Sequence, residues 1–290
     1  VASLSDASSS RRLQGVWAAH ACGLLTDEAR LRLLSDKDET IRGWAVRIEL
    51  EDHQASPAAL SRLVEMATSD TSPYVQLQLA SGLQRLPVKV RTPIAQQLVK
   101  HPKHAADNNL VLMIWYGIEP LLSGNDQETL NLALATRIPK LRQFIARHLG
   151  TGDVPRFDPL LRWLEEIGAD PDAQRDIVTG LHAALEGRRN VAKNEAWARI
   201  APRLAMSSDA TTRELSQRIS LIQGSDSAYD YFAQVVMDPK TDAAQRERAL
   251  SALVTTHRPS VADLLLGRLD DSALRATAIR GLAGFDRPEV

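Results

Sequence analysis

The chain has 290 residues, an apolar fraction of 44%, few aromatics at 4%, and 35 basic against 36 acidic side chains. A length at the limit for one rounded core predicts either two domains or an elongated architecture, and the even charge excludes a general nucleic-acid binder with a basic surface. A lone cysteine, Cys22, excludes an intrachain disulfide,.

The N-terminal stretch VASLSDASSSRRL lacks the apolar run of a secretory signal, and no initiator Met stands at position 1, so the chain is expected to be a processed product or an excised piece,. From there on, apolar residues recur at helical spacing between short polar breaks. One helix type recurs, aligned on the anchors Gln14, Arg42, Gln76, Leu110, Arg142, Gln174, Thr212, Arg246 and Arg275. Their spacing averages about 33 residues,. Four residues before the anchors stand Ser10, Asp38, Ser72, Ala106, Ile138, Asp170, Ser208, Asp242 and Asp271. Ser and Asp dominate this set, and they are N-cap residues because a short side-chain oxygen accepts from the free amides of the first turn. A second helix type is predicted between these, at roughly 26–35, 56–68, 89–100, 126–137, 157–167, 193–205, 226–237 and 260–269,. Ser56-Pro57, Thr92-Pro93 and Asp158-Pro159 are read as three of its starts, and Pro202 as a kink or break,.

The predicted fold is therefore an all-α superhelix, an α-solenoid of about nine two-helix repeats forming one domain over 1–290,. Packed helices about 10 Å apart would make a rod or arc on the order of 90 Å long. Gly82, Gly180 and Gly281 share one offset from their anchors, which predicts close approach of helices there,. The stretch LVLMIWYGIEPLL at 110–122 is too short to span a bilayer, which takes roughly 20 apolar residues,. It is read as a mid-stack helix, with Trp115 and Tyr116 filling gaps between repeats,.

Tetratricopeptide and ankyrin signatures are absent,. What recurs is Asp followed by Arg four residues on, in Asp38–Arg42, Asp242–Arg246 and Asp271–Arg275, with Asp209–Arg213 one residue off the anchor. The segments DDSALRATAIRGLAGF (270–285) and DETIRGWAVRIELED (38–52) carry this pattern most fully, and it resembles the HEAT-repeat family. The resemblance implies an Arg that reaches the next repeat. LMIWYGIEPLL (112–122) is the clearest part of a narrower resemblance, to the helical middle region of PVC-type haem-binding CxxCH proteins, which are large exported bacterial proteins. That resemblance implies a parent with a dehydrogenase-like propeller before the repeats and a c-type haem module after them, working outside the cytoplasm. One cysteine cannot make a CxxCH haem attachment, so no cofactor is expected in this chain and its share would be architectural,. Its partners are then expected to be proteins or neighbouring modules of the same parent, covering both ends of the repeat array, with no membrane insertion and no small-molecule substrate.

Enzyme chemistry finds little footing. HPKHAAD sets His101, His104 and Asp107 three apart, but Pro102 interrupts any common helical face, so a polar turn is favoured over a metal site,. His20 and Cys22 face different directions, and Cys22 reads as a small buried residue,. Glu165–Glu166 and Asp270–Asp271 are adjacent acids with nothing to set them around a substrate, and no phosphate loop, nucleophile elbow or zinc-protease motif occurs,. The chain is read as non-catalytic. One local excess of charge stands out. Residues 137–162 hold Arg137, Lys140, Arg142, Arg147, Arg156 and Arg162 against Asp153 and Asp158. Arg137, Lys140, Phe144 and Arg147 are the candidate partner-binding residues, with Lys140, Phe144 and Arg147 on one helix face,. HEAT-like DNA alkylpurine glycosylases use basic concave surfaces, so the rival expectation is a nucleic-acid binder built on this patch. A further alternative is a free-standing adaptor similar to the lyase-associated HEAT proteins.

Overall fold

The computed structural model describes residues 8–151, 156–168, 170–188 and 191–286. Among them are seventeen α-helices packed in neighbouring pairs and no strand, with 73% of residues helical. Among the described residues no helix is long and apolar enough to cross a membrane. The chain forms two compact units, Val1–His148 and Leu149–Val290.

The first unit holds α1 (Ser9–Ala21), α2 (Asp27–Leu33), α3 (Glu39–Glu49), α4 (Pro57–Ser69), α5 (Pro73–Leu83), α6 (Val88–Leu98), α7 (Asn108–Ile118), α8 (Asp126–Ala135) and most of α9 (Pro139–Gly150). Odd-numbered helices pack on one another, α1 on α3, α3 on α5 and α5 on α7, while α2, α4, α6 and α8 form a second layer. Between the layers lie Leu34, Val46, Leu63, Leu79, Leu83, Ile94, Leu98 and Ile114, all at most 2% exposed. The second unit holds α10 (Phe157–Glu166), α11 (Pro171–Leu185), α12 (Glu195–Ala205), α13 (Ala210–Ile222), α14 (Asp226–Met237), α15 (Ala243–Val254), α16 (Pro259–Leu266) and α17 (Arg275–Leu282). There α10 packs on α12, α11 on α13, α14 on α15 and α15 on α17, around Trp163, Trp197, Ile219, Leu250, Leu253 and Leu265. Each unit is a two-layer stack of helix pairs, in which apolar stripes are covered by the next pair along.

Caps start the helices where short polar side chains stand. Asp38 accepts from Thr40 and Ile41, Ser72 from Val75, Asp170 from Asp172 and Ala173, and Asp242 from Ala244 and Gln245,. α7 starts at Asn108 behind an Asp107 cap, as the sequence reading of a start at Asn108 or Asp107 expects, one residue on from the repeat alignment. Elsewhere the starts differ from the sequence reading: α1 begins after Ser8 rather than Ser10, and α13 is capped by Asp209 rather than Ser208. Asp271 accepts from Ala273 in a turn, and α17 begins only at Arg275. Thr92-Pro93 opens nothing: α6 starts at Val88 after Pro87, and Pro93 lies inside it. Pro202 likewise lies inside α12, which continues to Ala205.

The shifted caps move three anchors, to Arg12, Val111 and Arg213, and uncover what the anchor does. In repeat after repeat its side chain donates to the backbone carbonyl six residues back, at the close of the preceding turn. Arg42 donates to Asp36 O (2.9 Å), Gln76 to Asp70 O (2.8 Å), Arg142 to Thr136 O (3.2 Å) and Gln174 to Gly168 O (2.5 Å). Arg213 donates to Ser207 O (2.7 Å) and Arg275 to Leu269 O (2.7 Å). These carbonyls have no helical partner of their own, so in these six repeats one long donor satisfies them and sets the helix rotation,. Several arginines also reach a carboxylate in the next repeat: Arg12 meets Asp36, Arg42 meets Asp70 by two bonds of 2.6 and 2.9 Å, Arg175 meets Asp209, and Arg246 meets Asp271 at 2.6 Å.

Candidate partner-binding surface

With the anchor turned inward, helix geometry dictates what faces out. At 3.6 residues per turn, offsets −2, +2 and +5 lie about 140–200° from the anchor, on one narrow stripe. In the first unit these positions are Ser10, Gln14 and Trp17 on α1, Thr40, Trp44 and Arg47 on α3, and Tyr74, Gln78 and Ser81 on α5. They continue as Asn109, Met113 and Tyr116 on α7 and Lys140, Phe144 and Arg147 on α9. None is buried, and none is acidic.

The stripe is aromatic and cationic. Trp17 and Trp44 meet edge to face with ring centroids 4.9 Å apart, and the Arg47 guanidinium lies 4.5 Å from the Trp44 ring,. Tyr74 lies against Gly43, where any Cβ would collide with its ring. Lys140 Nζ sits 5.3 Å from the Phe144 ring, which packs on Trp115 at 5.3 Å. Between α3, α5 and α7 the stripe sinks into a groove of about 450 Å³. Its floor includes Leu50, Leu77, Gly82 and Met113, and Arg47, Gln78, Arg85 and Asn109 stand among its polar walls. Four acids nearby in sequence are engaged elsewhere. Glu51 pairs with His20 at 2.5 Å, Glu39 accepts from the Ser72 hydroxyl, and Asp36 and Asp70 hold the arginines of the preceding repeat. Burial raises the Asp70 carboxyl, yet the Arg42 hydrogen bonds, the Ser72 amide and the nearby Arg42 and Arg62 charges together outweigh it and leave the group below its ordinary range,.

The second unit differs. Its corresponding stripe, from Asp172, Asp176 and Thr179 on α11 to Ala273, Thr277 and Arg280 on α17, carries no aromatic side chain. Polar side chains on it pair with acids beside it, Arg218 and Arg248 with Glu214, and the Thr277 hydroxyl with Glu247. A cleft of about 470 Å³ does lie in this unit between α12, α13 and the start of α14, lined in part by Lys193, Trp197, Gln217, Gln223 and Asp226.

Of the residues the sequence singled out, Lys140, Phe144 and Arg147 share the α9 stripe, and Arg137 is exposed just before it. Arg142 is withdrawn from the patch: it is 7% exposed and bonded to Thr136 O. Arg156 and Arg162 belong to the second unit, and Asp153 lies outside the described residues. Trp115 does fill space between α7 and α9, against Phe144 and His148, but Tyr116 is 46% exposed and fills no gap. Cys22 is exposed rather than buried. The His101 and His104 rings lie 5.0 Å apart, tilted by 48°, but their ring nitrogens donate to separate carbonyls, Ala67 and Leu98, while Asp107 caps α7. Among the described residues no cluster of three metal-ligating side chains occurs. Burial, with the His101 charge beside it, pulls the His104 imidazole below its ordinary value.

No family of known proteins matches the chain, and no curated protein does. Among solved structures, an engineered protein is similar over 97% of this chain and 86% of its own, at 15% identity and a TM-score of 0.36.

Proposed function

We propose that this chain is a non-catalytic HEAT-repeat scaffold that binds a protein partner through the outward stripe of α1, α3, α5, α7 and α9. One observation carries the reading: that stripe gathers Trp17, Trp44, Tyr74, Tyr116 and Phe144 on one layer, partly solvent-exposed and free of acids. Aromatic and arginine side chains supply most binding energy at protein interfaces, and a soluble surface has no structural need to collect them. Following its resemblance to the PVC-type haem-binding proteins, the chain would be one module of a larger exported bacterial protein. The partner would then be another protein or a neighbouring dehydrogenase-like or haem module of that parent, and the chain itself would carry no cofactor.

A photo-crosslinking residue at Tyr116, set against one at Glu65 on the other layer, tests the reading in the natural host. Crosslinking to a defined protein or parent module from position 116 alone supports it. Equal yields from both positions refute it. The nucleic-acid reading retains Lys140, Phe144 and Arg147 as support, but Arg142 contributes nothing to that face. Salt-sensitive binding of duplex DNA by the purified chain, lost in Lys140→Glu/Arg147→Glu, would favour it.

A further inference from the structure

We infer that the groove between α3, α5 and α7 binds an acidic peptide segment of the partner, seating a carboxylate side chain between Arg47 and Arg85 and an adjacent apolar side chain on Leu77 and Met113. This rests on the protein-binding reading above and gives the partner its chemistry. Three features of the groove point to it.

Both arginines line one groove of about 450 Å³ whose lining contains no carboxylate. Among the described residues neither side chain makes an ion pair, although Arg12, Arg30, Arg42 and Arg62 of the same unit all do. Arg47 is instead held over Trp44, which fixes its guanidinium without neutralising it,.

The remaining polar wall accommodates an anionic guest as well. Gln78 and Asn109 carry amide donors, and Ser81 a hydroxyl, so a carboxylate leaving water finds several hydrogen bonds,. The apolar floor explains why the guest is a peptide and not a free anion. Leu77 and Met113 are only partly buried, and a methionine adapts to varied apolar side chains,. Gly82 lets α5 close onto Leu50 beneath the groove, since a Cβ there would stand 2.5 Å from Leu50 Cδ1.

A random twelve-residue peptide display library selected on the whole chain tests this. Enriched peptides should carry Asp or Glu next to a large apolar residue. Their affinity should fall at least tenfold in Arg47→Glu and in Arg85→Glu, and should weaken as salt rises. Unchanged helix content and melting of both variants show that the loss is not unfolding. Tyr116→Ala and Trp44→Ala separate the two levels. Peptides that depend on Tyr116 or Trp44 but are neutral or basic, and ignore both charge reversals, overturn the acidic-segment inference and leave the stripe as a protein-binding surface. No enrichment sensitive to any of the four variants overturns both. Duplex DNA binding that depends on Arg47 and Arg85 equally overturns the peptide inference.

Discussion

Arg42 does two jobs with one guanidinium: it closes the turn at Asp36 O and grips Asp70 in the following repeat. The Asp70 carboxylate is only 7% exposed, so removing its cation strands a charge that water reaches poorly,. Arg42→Ala is therefore expected to lower stability by about 3 kcal/mol in urea titration. Asp70→Asn should cost less, because the amide oxygen still accepts and the Arg42 cation left without its carboxylate keeps the Asp36 and Lys37 carbonyls,. Two histidines set a separate pH dependence. Burial lowers the imidazole pKa of both His104 and His182 from 6.5. The unfolded chain then binds more protons than the folded one just below that value, so stability is complete above it and declines as pH falls toward the folded values. A second decline follows below about pH 4, where Asp38, Asp70 and Asp209, each held low in the fold, must take up protons,. Melting across pH 7 to 3 checks both steps, and His104→Gln should shrink the first without touching the second.

Helix contacts are tuned at glycines, and the nature of the neighbouring atom decides the cost of filling them. At Gly82 a new Cβ meets the far end of Leu50, at 2.5 Å from Cδ1, and a leucine terminus can turn aside in part. At Gly117 it meets Leu83 Cβ at 2.7 Å, an atom fixed to its backbone. Alanine gains about 1 kcal/mol of helix propensity at either site. Gly117→Ala should nevertheless lose about 2 kcal/mol net, because α7 must move away from α5, whereas Gly82→Ala should come close to neutral. Thermal melts of the two variants rank them. Helix positions were largely legible in the sequence because caps such as Asp38, Ser72 and Asp170 act within a few residues of themselves. The misreadings have local causes too. Thr92-Pro93 looks like a helix start, but Pro87 already supplies one five residues earlier, and Pro93 is tolerated on an exposed position inside α6. Gln14, Leu110 and Thr212 were each displaced from the true anchor by one or two residues, since apolar pairs at +3 and +4 fit two adjacent alignments of a helix almost equally. What marks the inward position differs from helix to helix: the hydrogen bond to Ser207 O at Arg213, the ion pair with Asp36 at Arg12, and the Asp107 cap four residues earlier at Val111.

Over the whole molecule, charge counts along the chain conceal how charges sort around each helix. The balance of 35 basic and 36 acidic residues is real, but the outward stripe of the first unit carries cations and no acids. The linear patch at 137–162 pointed to Lys140, Phe144 and Arg147, yet not to Arg47, Trp44 or Tyr116, which come from helices dozens of residues apart and share a face only once the anchors are set. Stacking also shapes how damage spreads. In the second unit Leu250 is fully buried in the cluster of α14, α15, α16 and α17, with Phe232, Val236, Leu253 and Leu265. Leu250→Ala should cost about 2–5 kcal/mol. Because a helix in such a stack touches mainly its sequence neighbours, the loss should be local in effect. Hydrogen exchange is expected to accelerate first in α14, α15 and α17, while amides of α11, whose core is built around Ile177, Val178 and Leu181, keep their protection,. Uniform acceleration across both ends of the unit would mean that its apolar side chains answer to one shared centre, and the repeat description of its energetics would have to be abandoned.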